Sequence, residues 1–245
     1  MILHLVLGCL LLAIPAVALY LLDRKSLRAF LVAVVRMALQ VLVLCLMVWV
    51  LIRYDRWWLS MMCILLAAGY AAFVVVRRMT GGNRSLILPV MTGLLAGSLP
   101  VGLYLLAVSL PSQRVMEPHW LIPVMMLLLG HSLTMTLRGM NTYVSALKTD
   151  EEQYEFMRGN GADHLKAVMP FVRRAFQSVM SPTVANLQEA GLYTMPLLLC
   201  GFLMAGVSPV GAFVAMLLLT VGCVAASVVS LIVAIWKADG RLFDS

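Results

Sequence analysis

The sequence predicts an all-α, polytopic membrane protein of about seven transmembrane helices, with its N-terminus outside and its C-terminus in the cytoplasm. Three observations carry that expectation. First, the 245 residues are 62% hydrophobic and only 12% charged, with a mean hydropathy of +0.98. A soluble domain carries about twice that charge and could not hide so much apolar surface. Second, seven apolar runs reach the roughly 20 residues a helix needs to cross a bilayer. They are residues 2–22, 29–52, 58–76, 86–110, 120–137, 183–206 and 210–235. Runs of this length mark helices, which satisfy their own backbone in lipid, rather than barrel strands.

Third, the basic residues are sorted between the two sides. The connections after the first, third and fifth runs, with the C-terminal tail, hold Arg24, Lys25, Arg28, Arg77, Arg78, Arg84, Arg138, Lys148, Arg158, Lys166, Arg173, Arg174, Lys237 and Arg241. The opposite connections hold Arg53, Arg56 and Arg114, and Arg36 falls inside a run. The positive-inside rule places the richer side in the cytoplasm. Trp57, Trp58 and Trp120 then sit at the outer boundary, where interfacial aromatics collect.

The remaining totals narrow the class. The net charge of +7 is spent on flanks of apolar runs, so it signals topology and lipid contact rather than nucleic acid. Cys9, Cys45, Cys63, Cys200 and Cys223 all lie in apolar runs without a C-x-x-C pair, which reads as small packing residues and not a disulfide framework or zinc site. No Lys or Arg precedes the first run, so it reads as a retained span rather than a signal peptide. Neither a low-complexity linker nor a repeat divides the chain, and residues 1–245 read as one transmembrane domain.

One long polar connection interrupts this pattern, about residues 138–182, and it falls on the cytoplasmic side. Within it, residues 148–176 read KTDEEQYEFMRGNGADHLKAVMPFVRRAF. Thr149 and Glu152 form a T-x-x-E capping box that predicts a helix start, and Asp150, Glu151 and Glu152 suit its positive end. Gly159-Asn160-Gly161 predicts the stop. Asp163 can cap a second helix, in which Pro170 predicts a kink. Tyr154, Phe156 and Met157 are thereby carried to a helical bend. Such a bend either lies on lipid headgroups through Arg158, Lys166, Arg173 and Arg174, or enters a groove on a cytoplasmic partner. The acidic cluster 150–152 weighs against a negative headgroup surface.

An ordered series of motifs accompanies the bend. Arg36-Met-Ala-Leu-Gln40 lies in the second run, and Ile122-Pro123 and Gly130-His131 in the fifth. Gly161-Ala162 lies at the bend, followed by Pro182-Thr183 and Gly191-Leu192, and then Pro196, Gly201, Ala205, Gly206 and Pro209. In these, from about residue 15 onward, the chain resembles ABC transporter permeases of the FetB (YbbM) family, associated with iron export. It departs from that pattern at His131, where the family has Asn, at Phe156 beside Glu155, and at Ala185 and Gln188. The resemblance implies a permease subunit of the bacterial inner membrane that homodimerises and works with a separate cytoplasmic ATPase. It implies ATPase coupling through Tyr154, Glu155, Phe156, Met157, Gly161, Ala162, Asp163 and His164, and metal ion export, iron first. The sequence has no G-x-x-x-x-G-K-[ST] phosphate loop, so ATP and its Mg would be held by the partner, with no cofactor on this chain.

Five further residues are candidates for the translocation path or its gate. Arg36 and Gln40 share a helix face; a buried Arg is costly, so Arg36 either snorkels, makes a structural hydrogen bond or lines the path. His131 either packs with a hydrogen bond or serves the path, and no metal ligands are assigned. Glu189 is solvated at a boundary or pairs with Arg36. Pro196 follows the loop and can act as a hinge. Gly93 and Gly97 form a G-x-x-x-G pattern, and Gly201 and Ala205 a small-x-x-x-small pattern; both allow close helix approach. No catalytic constellation is present, so the chain reads as a non-enzyme. The competing functions are a partner-independent channel or secondary carrier, which predicts intramembrane acid pairs or inverted repeats, and a non-transporting scaffold.

Overall fold

The structure, a computed structural model, describes residues 12–22, 24–54, 57–79, 83–109, 117–191 and 195–243. Within them the chain forms nine α-helices and one 3-10 turn, with no strand. They are α1 (Ala13–Leu22), α2 (Arg24–Tyr54), α3 (Trp57–Arg78), the 3-10 turn Arg84–Leu86, α4 (Ile87–Ser109), α5 (Pro118–Thr149), α6 (Glu151–Gly159), α7 (His164–Glu189), α8 (Met195–Met204) and α9 (Pro209–Phe243).

Five helices among the described residues are long and apolar enough to cross a bilayer: Ser26–Leu51, Trp58–Arg78, Arg84–Val108, Pro118–Thr149 and Pro209–Arg241. They match the second, third, fourth, fifth and seventh apolar runs. Of the first run, 2–22, residues 2–11 lie outside the described residues and the rest holds α1. The sixth run, 183–206, is a correction: it is not one helix. Its first part ends α7 at Glu189, Ala190 and Gly191 form a turn, and α8 covers Met195–Met204. The fifth helix also runs twelve residues past its expected end at 137, because its buried stripe continues through Gly139, Met140, Tyr143 and Val144.

The chain divides into two units, Met1–Tyr54 and Asp55–Ser245. In the first, α1 packs on α2. Arg24 donates a hydrogen bond to the Tyr20 hydroxyl at 3.2 Å and stacks over its ring at 4.8 Å. Helix α2 exposes apolar side chains around its axis, Val41, Leu42, Val43 and Leu44 among them, as suits a segment solvated by lipid, with Arg36 and Gln40 as exposed polar exceptions.

In the second unit α5 is central and touches α3, α4, α7 and α9. Its buried residues Leu121, Met125, Leu128, Ser132, Met135, Gly139 and Tyr143 recur every three or four positions, the spacing of one helix face. Helix α7 answers with Ala167, Val168, Phe171, Ala175, Val179 and Thr183. That stripe explains why α7 remains helical through Pro170, where the sequence suggested a kink, and through Pro182. Packing of an amphipathic face outweighs the lost backbone donors.

The most extensive pairing joins α4 to α9. A Cβ added to Gly93 would lie 2.6 Å from the Ser230 carbonyl oxygen and 2.8 Å from the Ala234 Cβ. One added to Gly97 would meet Ser230 and the Ala226 carbonyl closer still. The G-x-x-x-G pattern is thus a seam on which the two backbones nearly touch. Gly201, in the second small-residue pattern, has no neighbour within 4 Å. Three buried hydroxyls bond back to their own helix: Ser98 donates to the Leu94 carbonyl, Ser227 to that of Cys223 and Thr183 to that of Val179. Of the described cysteines, Cys223 is buried but Cys45 and Cys200 are exposed, so those two are not core residues.

Candidate functional site

The bend between α6 and α7 is built from local signals. Helix α5 keeps its hydrogen bonding to the end, the Asp150 amide donating to the Ala146 carbonyl. Thr149 is therefore the last residue of α5, and the expected T-x-x-E box does not form. Asp150 takes the N-cap position of α6 instead, its carbonyl accepting from the Gln153 and Tyr154 amides. Its side chain makes no cap bond and pairs with Arg174 of α7. Glu151 and Glu152 occupy the first turn, where the helix dipole favours negative charge.

Helix α6 stops as the glycines predict. Gly161 has φ +82°, a backbone that glycine adopts without a Cβ penalty. The Gly161 amide donates to the Arg158 carbonyl and the Ala162 amide to that of Met157, which closes the C-terminus as a Schellman-type turn does. Asp163 then sits extended at the N-cap of α7 and accepts from the His164 amide at 2.9 Å.

The eight residues expected to form a coupling surface divide between two sides of this bend. Glu155, Phe156, Gly161 and Asp163 are exposed, Phe156 at 72%. Tyr154 and Met157 pack against the main apolar core, and Ala162 is half-buried. The His164 ring turns inward: its Nε2 lies 2.7 Å from Asp239 Oδ2, and its Nδ1 lies 3.0 Å from the Tyr154 hydroxyl. The other Asp239 oxygen, Oδ1, accepts from the Tyr143 hydroxyl at 2.6 Å. One carboxylate on α9 thereby joins α5, α6 and α7. Asp239 is only 8% exposed and Tyr143 is fully buried.

Sequence reasoning missed both Tyr143 and Asp239, since their partners are 96 and 75 residues away along the chain. One signal was available. Asp239 stands in an apolar helix, between Trp236 and the helix end at Phe243, and a carboxylate there needs a partner.

The residues expected on a translocation path divide between the two units. Arg36 and Gln40 are exposed on one face of α2, in the first unit. Glu189, the last residue of α7, is exposed. Pro196 is exposed in the first turn of α8, where a missing amide costs little, so it bends no helix interior. His131 is half-buried on α5, and its Nε2 is buried without a hydrogen-bond partner among the described residues; the expected packing hydrogen bond is not made at that atom. The hydroxyls of Ser132, Thr136 and Ser230 share this condition. Among the described residues no three His, Cys, Asp or Glu side chains converge as metal ligands.

The comparisons with known proteins bear on the whole chain. Residues 2–243 match a family described as "Uncharacterised protein family (UPF0014)". The chain is similar to UPF0014 membrane protein slr1647 of Synechocystis sp., 25% identical over 75% of this chain and 71% of that protein. It is 28% identical to UPF0014 membrane protein STAR2 of Oryza sativa subsp. japonica, over 58% of this chain and 51% of the rice protein. It is also 28% identical to the protein ALUMINUM SENSITIVE 3 of Arabidopsis thaliana, over 39% of this chain and 35% of that protein. The match thus spans about half the rice relative and about a third of the Arabidopsis one. No solved structure matches. With its membrane-length apolar helices and a match that runs almost end to end, the chain belongs to the UPF0014 family of membrane proteins.

Proposed function

We propose that this chain is the permease subunit of an ATP-binding-cassette transporter, driven by a separate cytoplasmic ATPase that grips the α6–α7 bend. The observation that carries the reading is the two-sidedness of the bend. Phe156 projects from it at 72% exposure, beside exposed Glu152 and Glu155, while Tyr154 and His164 fasten its inner side to the bundle. A fastened helix with a bare aromatic at its tip suits a groove on another protein. A large aromatic in a pocket is the usual anchor of such contacts. The acidic first turn of α6 opposes binding to an anionic lipid surface.

The cargo is a metal ion. The family resemblance favours iron, and the printed name of the Arabidopsis relative refers to aluminium, which favours a metal over an organic solute. The route runs between two copies of the chain, because the second unit is a small bundle whose centre is filled by α5. The N-terminus is outside and the bend cytoplasmic, on the inner membrane.

The test places a photo-crosslinking residue at position 156 in native membranes. The expected adduct is a chain bearing the G-x-x-x-x-G-K-[ST] phosphate loop. Inside-out vesicles holding both chains then show ATP-dependent uptake of iron or another metal ion. Adducts to lipid alone sink the docking reading, and flux without ATP favours a partner-independent channel or carrier. An ATPase adduct with no flux of any metal favours a scaffold.

A further inference from the structure

We infer that Asp239 is the anchor of a latch that makes the bend, α5 and α9 move as one body. Loop motion would then reach beyond the two helices that flank the loop in sequence. The inference rests on the docking reading above for the source of the motion; the latch geometry stands without it.

Three hydrogen bonds in series carry the argument. Tyr143 donates to Oδ1, and a carboxylate oxygen has only lone pairs to offer, so the bond at Oδ2 needs the proton on His164 Nε2. The ring then offers Nδ1 to the Tyr154 hydroxyl at 3.0 Å. If the imidazole is neutral, the Tyr154 hydroxyl donates to Nδ1; if it is charged, Nδ1–H donates to the Tyr154 oxygen. The chain Tyr154–His164–Asp239–Tyr143 therefore stays closed in either state of the ring. A carboxylate only 8% exposed is costly without partners. Here two short bonds of 2.6 and 2.7 Å hold it, and hydrogen bonds to a charged group are the stronger kind. Removing either leaves a nearly buried charge undersupplied, so the carboxylate favours one geometry sharply.

The position of the tie gives it mechanical meaning. The α7 stripe that packs on α5 begins at Ala167, past the bend. The Asp150–Arg174 pair is substantially exposed, and exposed pairs hold weakly. Asp239 is thus the nearly buried polar tie between the bend and α9. Helix α9 is in turn seated on α4 by the Gly93 and Gly97 contacts, in which backbone meets backbone. Displacement at Phe156 is delivered through Asp239 to α9, and through that seam to α4.

The test compares the full-length chain in lipid nanodiscs with Asp239→Asn and Tyr154→Phe variants, by amide hydrogen exchange. The carboxamide in place of the carboxylate could accept one of the two bonds and would point an N–H at the other donor. Exchange across 150–163 should accelerate about tenfold or more, the loss of one hydrogen bond to a charged group, while α4 keeps its protection. Unchanged exchange in both variants overturns the latch. Should Asp239→Asn fail to fold, Tyr154→Phe breaks the outermost bond, leaves the carboxylate paired and reads the same segment. A second arm adds the ATPase captured at position 156. Asp239→Asn should keep the crosslink yield and lose the stimulation of ATP hydrolysis by the permease. Faster exchange with stimulation intact reduces the latch to a structural staple and overturns the inference. No ATPase captured by the unaltered chain, with exchange still accelerated, removes the lever while leaving the hydrogen-bond chain in place.

Discussion

Three glycine-to-alanine changes on neighbouring helices should have three different outcomes, set by what a new methyl would meet. At Gly93 the methyl would lie 2.6 Å from the Ser230 carbonyl oxygen, 2.8 Å from the Ala234 Cβ and 2.9 Å from the Ala234 nitrogen. None of these can rotate aside, so α4 and α9 must part by about 0.5–1 Å, a gap that forfeits a quarter to a half of each contact along the seam. At Gly102 the nearest atom is equally close, 2.6 Å, but it is the sulfur of Met125, and a methionine side chain can repack. At Gly130 nothing lies within 4 Å. Overpacking costs about 1–3 kcal/mol, and Gly→Ala within a helix returns about 0.8–1 kcal/mol. Gly93→Ala should therefore destabilise by up to about 2 kcal/mol, Gly102→Ala should be near neutral, and Gly130→Ala should stabilise by up to about 1 kcal/mol. Reversible unfolding in mixed detergent–SDS micelles measures all three against the unaltered chain. If Gly93→Ala and Gly102→Ala were equal, the distinction between backbone and side-chain neighbours would be wrong. If Gly93→Ala matched Gly130→Ala, the seam would not exist.

Two further outcomes concern the bend. Gly161→Val forces a β-branched residue to φ +82° and should destabilise by about 1–2 kcal/mol, read as faster amide exchange confined to residues around 156–164; Gly161→Asn should cost less, since Asn tolerates that backbone. Phe156→Asp removes a side chain that is 72% exposed, so the unfolding free energy is expected to change by less than about 0.5 kcal/mol, together with loss of ATPase stimulation; intact stimulation would move the docking surface elsewhere.

Much of the fold was legible because lipid is a demanding solvent. A segment in hydrocarbon must satisfy its own backbone, so runs such as 58–76 and 86–110 had to be helices, and α3 and α4 are where they were expected. The bend was legible for a local reason: Gly161 supplies a left-handed backbone and Asp163 an N-cap, each readable at its own position. What was not legible depended on distant partners. Nothing near Thr149 reveals that α5 runs on to include it. That follows from Tyr143 and Val144 being buried in the main core. Likewise Pro170 gives no hint that the helix continues past it, packed on α5. Asp239 reads as a tail residue until Tyr143 and His164 are folded against it.

The sixth apolar run shows most clearly what composition leaves out. Residues 183–206 read as one crossing although Asn186, Gln188 and Glu189 make their first part polar, and the helix that holds these three ends at Glu189, with α8 covering Met195–Met204. Helix α8, with ten residues, is about 15 Å long, half of the roughly 30 Å hydrocarbon thickness. It cannot cross a bilayer alone, so any crossing here must be completed by the last turns of α7. Non-helical backbone at such depth survives only where protein or trapped water satisfies it. The structure supplies part of that requirement: Ala190 is buried, and its carbonyl accepts a 2.9 Å bond from the Met195 amide across the interruption. A hydropathy window counts side chains and is blind to that bond.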